Sequence, residues 1–476
     1  MIEGDLIIHG AQLADGSGQY AYAADILIAG DRIIDIGVSK AWAAKEVLEA
    51  HGLTACPGFI DAHSHDDREL IEDPAMIPKI SQGVTTVVVG NCGLSLAPLT
   101  QKTLPSPLHD LVGASKFRDF AAFLDAIDQS QPATNVAALV GHTSLRVEAM
   151  SDLSRTASPE EMEAMRRLCL DALAAGAIGV SSGLYYPPAQ AADWREVAEL
   201  VTLVGPESGV YAAHIRDEAD DVIAAINEAI QIAQAGGTQL VISHHKVMGQ
   251  SNFGRSEETL ALIEAAAVLG PIAFDAYPYT AGASMLHEGL VQVARKVILA
   301  SSASHPELAG QELADIAASM GCTPLEAVKR LSPGTAIYFI MDEADVQRIL
   351  AHPMAMIGSD GIPGEHPHPR LWGTFPRVLG HYGRELGLFP FEEAVRRMTQ
   401  LPAQTFGLQD RGVLRAGALA DLVLLDRKTV IDRATFEAPK RQSEGIVHVI
   451  VNGRFAWRDG ASTGLRAGRV LRRRQN

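Results

Sequence analysis

The sequence predicts an α/β protein, a (β/α)8 TIM barrel with a small β-sandwich domain built from both chain ends. Three observations predict it. Short apolar runs alternate with helical patterns through the middle of the chain, the signature of parallel strands joined by crossover helices. Eight such runs occur, at 59–63, 85–90, 135–141, 177–182, 210–215, 240–245, 272–277 and 355–360, the number a closed barrel needs. Both ends of the chain read as β-rich and differ from the middle.

The length of 476 residues suits one large domain and a smaller one. With 47% hydrophobic and 20% charged residues, the chain reads as a globular protein with a large core. A net charge of −17 argues against a nucleic-acid partner, which would need basic patches. Met1-Ile2-Glu3-Gly4-Asp5 lacks the basic start and apolar stretch of a secretory signal. No run is long and apolar enough to span a membrane. The four cysteines (Cys56, Cys92, Cys169 and Cys322) are scattered, which suits a reducing cytoplasm better than a disulfide framework. The pattern fixes no oligomeric state, and a monomer is compatible with it.

The N-terminal strands fall at 5–10, 24–31 and 32–37, punctuated by Gly30-Asp31, as hairpins require. Similar strands at 420–426 and 447–453 also end in turn residues. We therefore expect 1–57 and 412–476 to form one composite β domain around a barrel at 58–411. Two helices between the barrel strands are legible. Ser158-Pro159-Glu160-Glu161 is a capping box with proline at the first helical position, opening a helix to about 175. A second, at 217–235, carries apolar residues at helical spacing and stops at Gly236-Gly237. The gap between the seventh and eighth runs exceeds what one βα unit needs. Helical pattern at 309–320 and 324–331 marks it as an ordered, lid-like insertion at about 281–345 on the active-site side. The Arg472-Arg473-Arg474 tail reads as a solvated end.

The candidate chemistry lies where the apolar runs stop, the place barrel enzymes put it. Phe59-Ile60-Asp61-Ala62-His63-Ser64-His65 ends the first run with two histidines one residue apart. In extended chain these share a face and can present two imidazoles to one metal ion. Cys92 follows the second run between glycines, His142 the third, His214 and Arg216 the fifth. His244, His245 and Lys246 follow the sixth, Tyr277 the seventh and Asp360 the eighth. His142 and His245 taken singly read as core histidines. Histidines at four strand ends with a cysteine and an aspartate point to a metal centre, and imidazole with thiolate favours zinc.

The order His-x-His, His, His and last-strand Asp resembles the amidohydrolase superfamily. The bridging lysine common there is not evident, and Cys92 stands as its replacement. Together with Gly90-Asn91-Cys92-Gly93, Ser181-Ser182-Gly183-Leu184, Ser243-His244-His245-Lys246 and Pro369-Arg370-Leu371-Trp372-Gly373, this resembles the D-aminoacylase (N-acyl-D-amino-acid deacylase) family over nearly the whole chain. The resemblance implies a tight zinc held by Cys92, His214 and His244. It implies a second, weaker site at His63 and His65 that Cys92 could bridge, and Asp360 as catalytic acid/base. Lys246 and Tyr277 match groups that hold the substrate carboxylate. A serine that assists them falls near Ala283 and Ser284; Ala283 occupies the matching position, which leaves the contact to Ser284. Tyr185, Tyr338 and Met341 match positions lining the side-chain pocket. The activity so implied is zinc-dependent hydrolysis of N-acyl-D-amino acids, a small-molecule substrate, with hydrophobic D-amino acids favoured. Arg295 and Lys296 in the insertion keep open an N-acyl-D-glutamate or N-acyl-D-aspartate deacylase. Two rival readings are a hydantoinase-like cyclic-amide hydrolase and a non-catalytic scaffold. The cysteine motif argues against the first and the full ligand set against the second.

Overall fold

The computed structural model describes residues 2–38, 41–113, 115–205 and 209–473. The barrel strands are Phe59–Asp61, Val84–Val89, Asn135–Ala138 with Val140–Gly141, Gly179–Gly183, Val210–His214, Gln239–Ile242, Ile272–Ala276 and Ala355–Ile357. Each pairs in parallel with the next. The ring closes between the eighth and first strands, where Ala62 N donates to Ile357 O at 3.2 Å and Asp360 N to His63 O at 2.8 Å. Each of the eight apolar runs supplies one strand, because strands covered on both faces must be apolar throughout.

Two observations explain the barrel's rigidity at its seam. Lys79 is fully buried, and its Nζ lies 2.7 Å from Asp61 and 3.1 Å from Asp66. It also donates to Ser359 Oγ at 2.8 Å, and Asp61 accepts in turn from Ser359 N at 2.7 Å. One buried ion network thus staples the first strand to the eighth.

The composite sheet has nine strands, taken from both ends of the chain. Leu422–Leu425 pairs antiparallel with Thr54–Pro57, which joins the C-terminal strands to the N-terminal ones. Its core of Ile8, Leu13, Ile26, Leu422 and Leu424 is separate from the barrel's. The strands at Trp42–Glu49 and Arg454–Arg458 were not legible in the sequence.

The capped helix forms at Pro159–Ala175, with the reciprocal Ser158–Glu161 capping box and Gly176 at its end. The helix expected from 217 starts only at Val222 and runs to Gly236. Asp217 Oδ1 instead accepts from Ala219 N and Asp221 N, holding the chain in a turn. Acidic side chains compete with helix in this way when they bond nearby backbone.

The long connection after the seventh strand contains helices Leu313–Ser319 and Pro324–Leu331. It also contains a three-stranded antiparallel sheet of Ala281–Met285, Val297–Ser302 and Gly334–Phe339, which periodicity did not reveal. The C-terminal tail is not a solvated end as far as it is described. Val470 bridges to Val136 of the third barrel strand, and Arg472 pairs with Asp128 at 2.7 Å. Arg474 lies outside the described residues. No helix among the described residues is long and apolar enough to cross a membrane.

Replacing Lys79 with Met leaves Asp61 and Asp66 buried without their cation. Lys79→Met is expected to destabilise the fold by about 3–5 kcal/mol, the usual consequence of breaking one side of a buried pair. A denaturation midpoint equal to that of the parent protein would show that the seam does not depend on this ion network.

Candidate metal centre and substrate cavity

The C-terminal ends of the barrel strands bring His63, His65, Cys92, His214, His244 and Asp360 into one buried cluster. His63 Nδ1 donates to Asp275 at 3.3 Å, so its Nε2 points at Cys92 Sγ, 3.4 Å away. Cys92 Sγ is also 3.4 Å from His244 Nε2, which lies 2.9 Å from His214 Nδ1. Asp360 Oδ1 stands 3.4 Å from His65 Nε2 and 3.6 Å from His63 Nε2.

Three of these residues hold their backbone in the left-handed region: Cys92 at φ 56°, His244 at 36° and Asp360 at 47°. Side chains other than glycine rarely adopt it, and it persists where surrounding structure over-determines it, commonly at functional sites. Gly90 makes room for the cysteine loop; a Cβ there would lie 2.0 Å from Leu139 O.

The electrostatics follow from the packing. Burial opposes a charged thiol at Cys92, but His63 and His244 beside it hold its pKa well below the ordinary value. Burial also opposes ionisation of Asp360, yet Arg370 and the surrounding histidines keep it well below the usual carboxylate range. Arg370 NH2 pairs with Asp360 Oδ2 at 2.9 Å. Lys246 Nζ lies 2.6 Å from Glu218 and 2.7 Å from His244 Nδ1. Burial would lower the lysine's pKa, but Glu218 outweighs it and the ammonium stays charged.

The donor set fits a soft-to-borderline metal. Imidazole and thiolate atoms sit 3.4 Å apart, close to the separation of about 3.5 Å that zinc bond lengths and tetrahedral angles impose. Carboxylates at the remote nitrogens, Asp275 on His63 and Glu218 on His244 (3.0 Å), are the partners that orient ligating imidazoles. The similar group His9, Glu49 and His51 lies exposed on the composite sheet, away from this cluster.

A narrow cavity opens beside the cluster. Lys246, Tyr277, Asp360, Tyr185 and Tyr338 line it, as do Ala283 and Ser284 from the insertion. The insertion therefore lies over the C-terminal end of the barrel. Met341 is not on this wall. It lines a separate small cavity, and Lys246 and Tyr277 are on the wall of both. Ile340, the residue before it, lines the main cavity instead. His142 and His245 are core histidines, bonded to Glu196 and Thr259 respectively, each at 2.9 Å. Arg216 is spent on Glu228, also at 2.9 Å.

Sequence reasoning missed Glu218, Asp275 and Arg370. Asp275 had a signal, an acid inside the apolar strand Phe274-Asp275-Ala276. Arg370 stands in the motif Pro369-Arg370-Leu371-Trp372-Gly373, which by itself assigns it no role. Here it is fully buried, its Nε and NH1 have no hydrogen-bond partner among the described residues, and its guanidinium lies 4.5 Å from the Tyr277 ring centre. Tyr277 Oη is also without a partner. Glu218 had no signal, because it sits in the turn that the pattern read as helix.

Comparison with known proteins agrees with this geometry. A model of the amidohydrolase family matches residues 46–456. The chain is 51% identical over 472 residues to a D-aminoacylase of Alcaligenes xylosoxydans xylosoxydans, covering 98% of both chains. A solved D-aminoacylase structure addressing that enzyme's binuclear metal centre superposes with a TM-score of 0.95 at 48% identity, covering 99% of this chain and 100% of the other. An N-acyl-D-glutamate deacylase from Bordetella bronchiseptica, solved with zinc and a phosphonate inhibitor, gives 0.96 at 44% identity with the same coverage. The chain belongs to the D-aminoacylase (N-acyl-D-amino-acid deacylase) family of the amidohydrolase superfamily.

Proposed function

We propose that the protein is a zinc-dependent hydrolase of N-acyl-D-amino acids with apolar side chains, releasing the carboxylate and the free D-amino acid. The observation that carries this reading is the polarity of one cavity. His65, His214, His244 and Asp360 of the donor cluster line it together with the ammonium of Lys246 and with Tyr277, against whose ring Arg370 packs. The rest of the wall is largely apolar, with Met248, Leu290, Ile340 and Tyr338.

Cys92, His214 and His244 would hold the tighter zinc, and His63 and His65 with Cys92 a second, weaker one. When bound, zinc supplies Lewis acidity that polarises an amide carbonyl and eases ionisation of water. Asp360, kept ionised by Arg370, accepts the proton of the attacking water. It then delivers that proton to the departing nitrogen, a poor leaving group until protonated. Lys246, with Tyr277 Oη, binds the substrate carboxylate, while Arg370 packs on the Tyr277 ring. Glu218 keeps Lys246 in place and charged. Carboxylate, amide and side chain are then fixed at three separate points, which is what discrimination of D from L requires.

The apolar preference rests on where the insertion's cations go. Arg295 donates to Met341 O at 2.8 Å, and Lys296 pairs with Glu312 at 3.5 Å. Neither lines the cavity, so an acidic substrate side chain would meet apolar groups there. The four thiols, all unpaired, suit a reducing cytoplasm.

Amine release from a panel of N-acetyl-D- and L-amino acids tests the reading. Turnover of the D-methionine, D-leucine and D-phenylalanine derivatives is expected to exceed that of D-glutamate and D-aspartate, with the L-forms inert. Preference for the acidic substrates would overturn the assignment of the pocket.

Elemental analysis of Cys92→Ala is expected to show loss of the tight zinc; full retention would remove Cys92 from the ligand set. Asp360→Asn, nearly isosteric, is expected to keep fold and tight zinc while activity falls by ~10²–10⁴-fold. That loss should lie mainly in kcat, since the proton moves in the transition state. Near-normal turnover would end the acid/base role, and joint loss of zinc and activity would make Asp360 primarily a ligand.

A further inference from the structure

A second cavity, of about 370 Å3, adjoins the first and shares with it a wall of His65, Tyr186, Ser284 and Ile362. The catalytic cavity is itself small, about 50 Å3. Lys246, Tyr277 and Glu218 line the catalytic cavity and not the second one. The second runs outward from buried His65 and Leu94 to exposed Ala303 and Pro333.

Its walls suit an apolar occupant. Leu94, Leu111 and Met285 contribute side chains directly. Three of the hydroxyls there are already bonded: Ser301 Oγ and Thr335 Oγ1 bond each other at 2.7 Å, and Ser302 Oγ donates to Leu331 O at 2.7 Å. Asp110, at the exposed rim, accepts from Ser106 Oγ at 2.7 Å.

An acyl-amino acid with its carboxylate at Lys246, its carbonyl at the donor cluster and its side chain on the apolar wall of the catalytic cavity has one end left to place, the acyl tail. His65 belongs both to the cluster, through Asp360, and to the shared wall. The tail's way out of the narrow catalytic cavity is past His65 and Tyr186.

We propose that the second cavity is an acyl-chain subsite, and that the protein takes unbranched aliphatic acyl groups longer than acetyl. This inference rests on the deacylase reading given above. A volume of about 370 Å3 falls within the range of small-molecule sites, well beyond what an acetyl methyl fills.

The test uses zinc-loaded enzyme and N-acetyl-, N-butanoyl-, N-hexanoyl- and N-octanoyl-D-methionine. From acetyl to hexanoyl, kcat/KM is expected to rise at least ~10-fold, against a ceiling of roughly fourfold for each fully buried methylene. Thr335→Phe, which adds bulk to the second cavity, is expected to lower the hexanoyl-to-acetyl ratio by at least ~10-fold, as about two lost methylene sites would. Ser301→Leu on the same wall gives an independent variant should Thr335→Phe fail to fold, with circular dichroism and zinc content as controls. A flat acyl series in the parent enzyme would overturn the proposal. So would equal losses on acetyl and hexanoyl substrates in a folded, zinc-loaded variant, because the cavity would then be an entrance and not a subsite. Failure of the deacylase reading looks different: no acyl-D-methionine of any length would release amine.

Discussion

The buried bond network of Lys79 with Asp61, Asp66 and Ser359 is the constraint on which the site depends. A barrel closes only if its last strand finds its first, and here that seam also separates the two halves of the chemistry. His63 and His65 leave the first strand two and four residues beyond Asp61. Asp360 follows Ser359 on the eighth. Because Lys79 bonds Asp61 and Ser359 together, it fixes the spacing between the histidine pair and the carboxylate facing it. A lysine ammonium with no exposed surface is tolerable only with such partners. Its retention in the barrel wall suits a role in geometry more than in net stability.

Asp275 performs the equivalent task on the other side. Its carboxylate accepts from His63 Nδ1 and, at 2.9 Å, from the backbone N–H of His244. One side chain thereby orients an imidazole from the first strand and the left-handed turn that aims an imidazole from the sixth. Gly358 belongs to the same arrangement: a Cβ there would lie 2.7 Å from both Asp275 Oδ1 and His63 Cβ. The site is thus held by strands and buried hydrogen bonds, while the insertion adds Ala283, Leu290, Tyr338 and Ile340 to the cavity wall.

The rules that made the sequence legible are local. Eight apolar runs mark eight strands because each barrel strand is covered on both faces and needs no distant information to be apolar. The capping box at Ser158 and Glu161 marks its helix because the bonds it makes span three residues. His-x-His ends a strand on one face because the side-chain period of extended chain is two. What failed was equally physical. The helix expected from 217 gave way to a turn because Asp217 bonds its own backbone. The insertion's sheet escaped notice because its strands pair with partners distant in the chain. Met341 stands one residue past Ile340, the one that lines the cavity.

By itself, then, the sequence determined the barrel, the strand-end positions of the histidines, Cys92 and Asp360, and the existence of an insertion. These follow from periodicity, from turn residues and from motifs whose members are neighbours in the chain. Only the tertiary structure decided that Asp275 and Glu218 brace the imidazoles, that Arg370 turns back onto Asp360 and Tyr277, and that a second cavity opens beside His65. Each joins residues that no periodicity links: Asp275 lies 212 residues from His63. Whether such a buried carboxylate meets an imidazole, an ammonium or nothing is set by packing alone, since the energy of a buried charge depends on what lies within a few ångströms of it.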